Sequence, residues 1–405
     1  MERLQGLSQD VRQYIVITAN YWAFTLTDGA LRMLVVLYFH QLGYSPLQIA
    51  MLFLFYEIFG VVTNLVGGWL GARLGLNKTM NIGLALQVIA LSLLLVPSAM
   101  LTVPWVMSAQ ALSGIAKDLN KMSAKSSIKL LVAKDAQRQL YRWVALLTGS
   151  KNTLKGVGFF MGGLLLTLIG FKGAIIFMAG TLLVVWMISL FKLKSDLGKA
   201  KSKPKFSQLF SKSSAINYLS AARLFLFGAR DIWFVVALPV YLSTQFGWNH
   251  TYVGGFLALW IIGYGIIQTL APKVTQRNTG HSPNGTTAFY WALALSAIPA
   301  LIALGLYYKL SPELVLLGGL MLFGIIFALN SSLHSFLIVH MANEDGVSLD
   351  VGFYYMANAM GRLIGTVLSG WIFQAYGMIT CLVVSTGFVL MAAIFALLLP
   401  QDRNR

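Results

Sequence analysis

Long apolar stretches separated by short polar connections fill the chain from one end to the other. They run at about 14–39, 47–70, 79–97, 103–131, 140–168, 173–191, 214–244, 251–271, 287–308, 313–337, 350–375 and 378–399. Each is near twenty residues or longer, the length that carries an α-helix across the hydrocarbon core of a bilayer. Gly and Pro punctuate the connections, as in Gly43–Pro46, Pro97 and Pro312. The pattern predicts an all-α membrane protein with twelve transmembrane helices. Composition agrees: 57% of the 405 residues are hydrophobic and 11% charged, whereas soluble domains carry about 25% charged residues. The polar Met1–Arg12 segment leads into an apolar stretch too long for a signal-peptide h-region, so no cleavable signal is expected.

The net charge of +17 would ordinarily suggest nucleic-acid binding. That reading is set aside because the basic residues lie in short loops or inside the apolar stretches. The single Cys381 excludes an intramolecular disulfide and any cysteine-based metal or redox motif. Loop charge predicts orientation. Alternate loops hold Arg73 and Lys78, Lys134 and Arg138, and Lys273 and Arg277. The longest of them holds Lys192, Lys194, Lys199, Lys201, Lys203, Lys205 and Lys212. The opposite loops hold little beyond Lys172 and Lys309. Both termini and the Lys-rich loop are therefore expected in the cytoplasm, with the chain multi-pass in the membrane. The Lys-rich loop itself reads as a solvated, flexible linker with minor contact to anionic lipid. It divides the chain into bundles at 1–191 and 216–405, with the linker at 192–215. An echo at an offset of 204, Gly43-Tyr44 against Gly247-Trp248, relates the halves.

Charges inside the apolar stretches are the informative feature. They are Asp28 and Arg32 on the first, Glu57 on the second, and Lys117, Asp118, Lys121 and Lys125 on the fourth. The fifth has Lys151 and Lys155, the seventh Arg223, Arg230 and Asp231, and the eleventh Arg362. A charge facing lipid at mid-depth costs about 2.5–3.5 kcal/mol on insertion scales, so these groups must face water, a partner or a ligand. Lys117, Lys121 and Lys125 are spaced i, i+4, i+8 and form one stripe; Lys151 and Lys155 repeat the spacing. Like charges so placed repel. With Lys125 left to the cytoplasmic mouth, eight cations (Arg32, Lys117, Lys121, Lys151, Lys155, Arg223, Arg230 and Arg362) face four carboxylates. The excess predicts a site for a small anion, and the arginines suit bidentate phosphate, arsenate or carboxylate.

Structural roles compete at several positions. Asp28 and Arg32, at i, i+4, are expected to pair, and Glu57 to neutralise a neighbouring lysine. Asp231, adjacent to Arg230, is expected to point elsewhere, as an interdomain bridge or a coupling residue. Arg362 either pairs locally or contacts the anion. His334 is a proton site or a hydrogen-bonded helix histidine. Asn120, Asn152, Asn330, Asn358, Tyr354 and Tyr355 supply neutral donors for a hydroxyl-bearing ligand or for helix contacts.

Two motifs resemble the major facilitator superfamily. Gly68-Trp69-Leu70-Gly71-Ala72-Arg73-Leu74-Gly75-Leu76-Asn77-Lys78 is similar to its loop signature, with Ala72 where an acid is usual. Gln110-Ala111-Leu112-Ser113-Gly114 is similar to its fourth-helix motif, with Gln110 in place of an arginine. That resemblance implies two six-helix bundles with spans 1, 4, 7 and 10 lining a central cavity, which is where the charges concentrate. Three further blocks, Tyr21–Arg32, Gly114–Lys125 and Leu147–Gly156, resemble the ArsJ organoarsenical efflux permeases. This second resemblance implies export of 1-arseno-3-phosphoglycerate, made when glyceraldehyde-3-phosphate dehydrogenase uses arsenate in place of phosphate, and hence arsenate resistance. The substrate residues it and the charge pattern nominate together are Arg32, Lys117, Lys121, Lys151, Lys155, Arg223, Arg230, Arg362, Asn120, Asn358 and Tyr355. Asp28, Asp231 and His334 are nominated for coupling. No cofactor, metal or catalytic constellation is expected, and the chain is expected to act as a monomer. An organophosphate/phosphate exchanger would share the basic cavity. A multidrug exporter would instead have an apolar one, and a membrane-embedded enzyme would need a nucleophile–base pair or a metal cluster.

Overall fold

A computed structural model describes residues 8–44, 52–133, 136–194, 197–201, 204–206, 210, 212–276 and 283–400. Of the residues singled out above, Pro46, Lys134, Lys203 and Arg277 lie outside the described residues, as do both chain ends. Every regular element among the described residues is helical, as expected where lipid leaves no water to satisfy a backbone group. The helices are α1 Gln9–Gln41, α2 Leu54–Leu74, α3 Leu76–Ser92, α4 Val103–Leu131, α5 Gln137–Lys192, α6 Ser214–Phe234, α7 Ala237–Gln245, α8 His250–Thr275, α9 Gly285–Tyr307, α10 Pro312–Met341 and α11 Val347–Leu397. Helices α5 and α11 each hold two crossings. Gly170 (φ 69°) and Gly377 (φ 78°) reverse the chain within them, in a region of φ that costs a residue with a Cβ. With α6 and α7 forming one crossing, these elements account for the twelve apolar stretches. Eight helical segments among the described residues are long and apolar enough to cross a membrane. Helix α4 is long enough, but Lys117, Asp118, Lys121, Lys125 and Lys129 lower its hydropathy.

The chain forms two compact units. The first comprises Met1–Trp143, Ser150–Ser211 and Ala342–Met356. Helix α4 is its hub and packs on α1, α2 and α3. Helices α1 and α5 approach through small residues: a Cβ on Gly158 would meet the Leu26 carbonyl at 2.8 Å, and one on Gly162 would strike the Ala30 carbonyl. Gly158 and Gly162 form the small-xxx-small spacing that lets membrane helices pack backbone to backbone. The start of α11 belongs to this unit because Ser348 Oγ donates to the Gly68 carbonyl at 2.7 Å and Gly352 abuts Gly68. An apolar cluster including Leu34, Phe39, Leu91, Val106 and Phe171 forms a core within this unit.

The linker departs from expectation. The side chains of Lys192, Lys194, Lys199, Lys201 and Lys205 are exposed, as expected, but the backbone between them is docked. Leu76 N–H donates to the Leu197 carbonyl and Ala200 N–H to the Ala72 carbonyl, both at 2.8 Å. Trp69 Nε1 donates to Pro204 O at 3.0 Å, and its ring meets Phe206 edge-on. Asn77 Nδ2 donates to Lys194 O, and Lys201 N–H to Asp345 Oδ1 at 2.9 Å. Lysine content predicted solvation, but the segment is held by backbone groups that composition does not register.

The second unit comprises Val144–Gly149, Lys212–Met341 and Ala357–Arg405. Its core packs Leu226, Ile232, Trp233, Trp260, Phe323, Phe327, Leu382 and Val389, with Trp233 edge-on to Phe323 and Phe323 stacked on Phe327. Here α6 and α11 approach through Gly361 and Gly365: a Cβ on Gly365 would meet Gly228 O at 2.7 Å and Asp231 Cβ at 2.9 Å.

Candidate functional site

In the first unit the charges of α1, α2 and α4 meet around two tyrosines. The α4 lysines share a face, as their spacing predicts. Lys121 Nζ lies 2.7 Å from Asp118 Oδ1 and Lys117 Nζ lies 4.0 Å from the same oxygen. Asp118 is buried, and its Oδ2 has no hydrogen-bond partner. Lys117 Nζ also sits over the Tyr56 ring, 3.8 Å from the centroid. Lys121 and Lys125 both lie over the Tyr355 ring, at 4.9 and 5.0 Å. Lys125 is buried at 4% exposure rather than at an open mouth. Helix α4 can approach Tyr56 because Gly114 has no side chain; a Cβ there would meet Tyr56 Cα at 3.2 Å.

Asp28 and Arg32 do not form the ion pair their spacing favours. Asp28 accepts the Tyr56 hydroxyl at 2.8 Å on one carboxylate oxygen and 3.1 Å on the other. Arg32 pairs with Glu57 at 3.5 Å and lies over the rings of Phe53 and Tyr56. Glu57, expected to serve a lysine, thus engages Arg32. Both partners come from α2, and helical spacing within α1 carries no information about them. On α5, Lys151 Nζ donates to Asn152 Oδ1 at 3.3 Å. The Lys155 backbone touches Gly29, beside Asp28. Asn120 is turned away from the lysines: its amide donates to the Ala116 carbonyl and faces Gly83 of α3. The first unit thus sets Arg32, Lys117, Lys121, Lys125, Lys151 and Lys155 against Asp28, Glu57 and Asp118, six cations to three carboxylates.

In the second unit, Asp231 is fully buried and serves two arginines. Arg230 folds back so that Nε and Nη2 each reach Asp231 Oδ1 at 2.6 Å. Adjacent residues on a helix point apart, which predicted the opposite, but the arginine side chain is long enough to turn back along its own helix. Arg362 Nε donates to Asp231 Oδ2 at 3.3 Å, so this arginine pairs locally. Arg223 is buried; its Nε donates to Asn358 Oδ1 at 2.8 Å and its Nη1 to Ser331 O and Oγ. Phe227 lies under both Arg223, at 3.9 Å, and Arg230, at 4.8 Å. His334 is buried, and neither ring nitrogen has a hydrogen-bond partner, so the hydrogen-bonded helix histidine expected there is absent. Asn330 donates to Trp291 O and Ile326 O. Of the charges singled out at membrane depth, this unit holds three cations (Arg223, Arg230 and Arg362) and one carboxylate (Asp231).

Tyr56 and Phe227 are the members the sequence reading missed. The spacing of Phe227 from Arg223 and Arg230, at i+4 and i−3, carries a signal. Tyr56 carries none beyond its place next to Glu57. No group of three or more His, Cys, Asp or Glu that could hold a metal ion occurs among the described residues.

Comparison with known proteins gives a consistent picture. The model of the family described as Major Facilitator Superfamily matches residues 15–333 and 219–405. Curated protein sequences yield no match. Among solved structures, the human organic anion transporter MFSD10 (TETRAN) is similar with a TM-score of 0.76 at 16% identity, covering 96% of this chain and 100% of its own. A bacterial homologue of the iron transporter ferroportin, in an outward-facing state, aligns with a TM-score of 0.73 at 14% identity, over 96% and 98% of the two chains. The Escherichia coli fucose:proton symporter aligns with a TM-score of 0.71 at 14% identity, over 96% and 100%. At these identities the likeness concerns the fold.

Proposed function

The chain belongs to the Major Facilitator Superfamily, and from that premise we propose that this multi-pass transporter exports a small organic polyanion by alternating access. The observation that carries the reading is the sharing of one carboxylate oxygen by Lys117 and Lys121, in a unit whose membrane-depth stretches hold six cations and three carboxylates. A scaffold with no anionic ligand gains nothing from such an excess at bilayer depth. Arg223 and Arg230 of the second unit supply further anion-recognising groups. The resemblance of Tyr21–Arg32, Gly114–Lys125 and Leu147–Gly156 to the organoarsenical efflux permeases narrows the proposed cargo to 1-arseno-3-phosphoglycerate. Glyceraldehyde-3-phosphate dehydrogenase is then the functional partner that makes the cargo, and arsenate resistance the outcome.

In this reading the protein acts as a monomer in a bacterial inner membrane with both termini in the cytoplasm. Moving one charge through 100 mV is worth about 2.3 kcal/mol, so a trianion leaving an inside-negative cell gains about 7 kcal/mol. Export then needs no co-substrate.

The test is accumulation of arsenate-derived label in everted membrane vesicles, with and without the dehydrogenase and its substrates. Accumulation is expected to require the dehydrogenase reaction and to be lost in Lys117→Ala protein that remains folded. Equal entry of free arsenate would overturn the cargo assignment. Phosphate counterflow of equal rate would replace export by organophosphate/phosphate exchange.

A further inference from the structure

Two acids of the first unit, Asp118 and Asp28, are treated differently. Asp118 is engaged by ammonium groups, whereas Asp28 is held by a phenol. Asp28 lies one helical turn from Arg32, the spacing at which opposite charges on a helix pair, yet it accepts the Tyr56 hydroxyl through both oxygens. Tyr56 carries Lys117 on its ring face at 3.8 Å and Arg32 at 5.5 Å. One α2 side chain therefore restrains a carboxylate with its hydroxyl and presents two cations on its ring. Both Tyr56 (3% exposed) and Asp28 (6%) are buried, so water offers the carboxylate little competition for the phenol.

We infer that Tyr56 is a positioning residue for anion binding: it keeps Asp28 from adding a second carboxylate to Arg32 and Lys117, beyond Glu57 and Asp118, and so leaves part of their charge to a phosphate- or arsenate-type ligand. This rests on the anion-transport reading above and specifies how its site is kept open. An aromatic face attracts a cation through its quadrupole and carries no formal charge, so cations resting on Tyr56 retain their pull on an anion. A carboxylate turned onto the same cations would compete with the ligand directly. Tyr56→Phe keeps the ring and frees Asp28; Tyr56→Leu removes both functions.

The experiment measures binding of 3-phosphoglycerate and of inorganic phosphate to purified full-length protein in lipid nanodiscs at low salt, with size-exclusion elution as the check on folding. Tyr56→Phe is expected to weaken 3-phosphoglycerate binding by about tenfold, the equivalent of one added charge-assisted contact of about 1.4 kcal/mol. Asp28→Asn in the Tyr56→Phe background is expected to restore affinity to near the wild-type value. In the Tyr56→Leu background Asp28→Asn is expected to restore it only in part, because the ring is also gone. A purely structural role for Tyr56 predicts no such rescue. Unchanged binding by Tyr56→Phe, or a double variant as weak as the single one, overturns the inference and leaves anion transport standing. Folded wild-type protein that binds neither probe overturns the anion reading, and the inference with it.

Discussion

Asp118→Asn separates the charge-excess argument from a merely structural account of the lysines. The substitution preserves shape and removes the carboxylate that both Lys117 and Lys121 approach. Their ammonium groups lie 4.0 and 2.7 Å from one oxygen, hence within about 7 Å of each other. At an effective dielectric of about 20, two like charges at that separation repel by about 2 kcal/mol. Loss of the 2.7 Å contact at a carboxylate that is 1% exposed adds to this, toward the 3–5 kcal/mol that follows removal of one partner from a buried pair. A loss of about 3 kcal/mol corresponds to a fall in melting temperature of about 10 °C for units of roughly 200 residues. Melting is read by intrinsic fluorescence of purified protein with and without 3-phosphoglycerate. A ligand at about 100 times its Kd stabilises by about 2.7 kcal/mol. It should raise the melting temperature of Asp118→Asn by more than that of wild type, because it also relieves the repulsion. A variant that melts with wild type would refute the reasoning, since the lysines would then not constitute a repelling pair.

Three further outcomes follow from the same geometry. Asp231→Asn leaves Arg230 and Arg362 on a buried amide and is expected to cost about 3–5 kcal/mol, more than Asp28→Asn, whose partner is a neutral hydroxyl worth about 1–3 kcal/mol; melting curves compare the two. Trp69→Ala removes the hydrogen bond to Pro204 and the edge contact with Phe206. Trypsin cleavage at Lys199, Lys201 and Lys205 should then accelerate by about tenfold, read as half-length fragments on a gel. Gly361→Val drives a branched side chain into the Leu224 backbone and is expected to destabilise the α6–α11 contact by at least about 1–3 kcal/mol, seen as early aggregation in size-exclusion profiles after heating.

The crossings were legible because lipid permits little but helices, and helices of fixed rise need apolar stretches of fixed length. The 204-residue echo was legible for a similar reason: Gly43 and Gly247 both take positive φ, at 83° and 68°, a conformation that favours glycine. A comparable correspondence, at an offset of 203, relates the Gly158/Gly162 and Gly361/Gly365 contacts; the sequence does not single it out because small residues recur throughout membrane helices. Partner choice was not legible. Spacing ranks neighbours within a helix, so it paired Asp28 with Arg32, whereas Tyr56 and Glu57 arrive from α2. The docking of the linker was hidden for another reason. It is made largely by amide and carbonyl groups at positions such as Ala72, Leu76, Leu197 and Ala200, whose side chains advertise nothing.

The arrangement of the cations bears on release as much as on binding. Cations left bare at bilayer depth are too costly to persist, and cations fully paired with acids would have no attraction left for a ligand. Tyr56 and Tyr355 provide an intermediate state: Lys117, Lys121 and Lys125 rest against ring faces. Such contacts are worth about 0.5–2 kcal/mol, less than a buried pairing with a carboxylate. On the anion-transport proposal, an incoming phosphoryl or arsenyl group can therefore displace a ring and meet only Asp118, the single carboxylate that Lys117 and Lys121 share. On departure, the ring receives the ammonium again. A transporter built this way holds its cargo by the difference between a charge–charge and a charge–quadrupole contact, a difference small enough for the cargo to be let go.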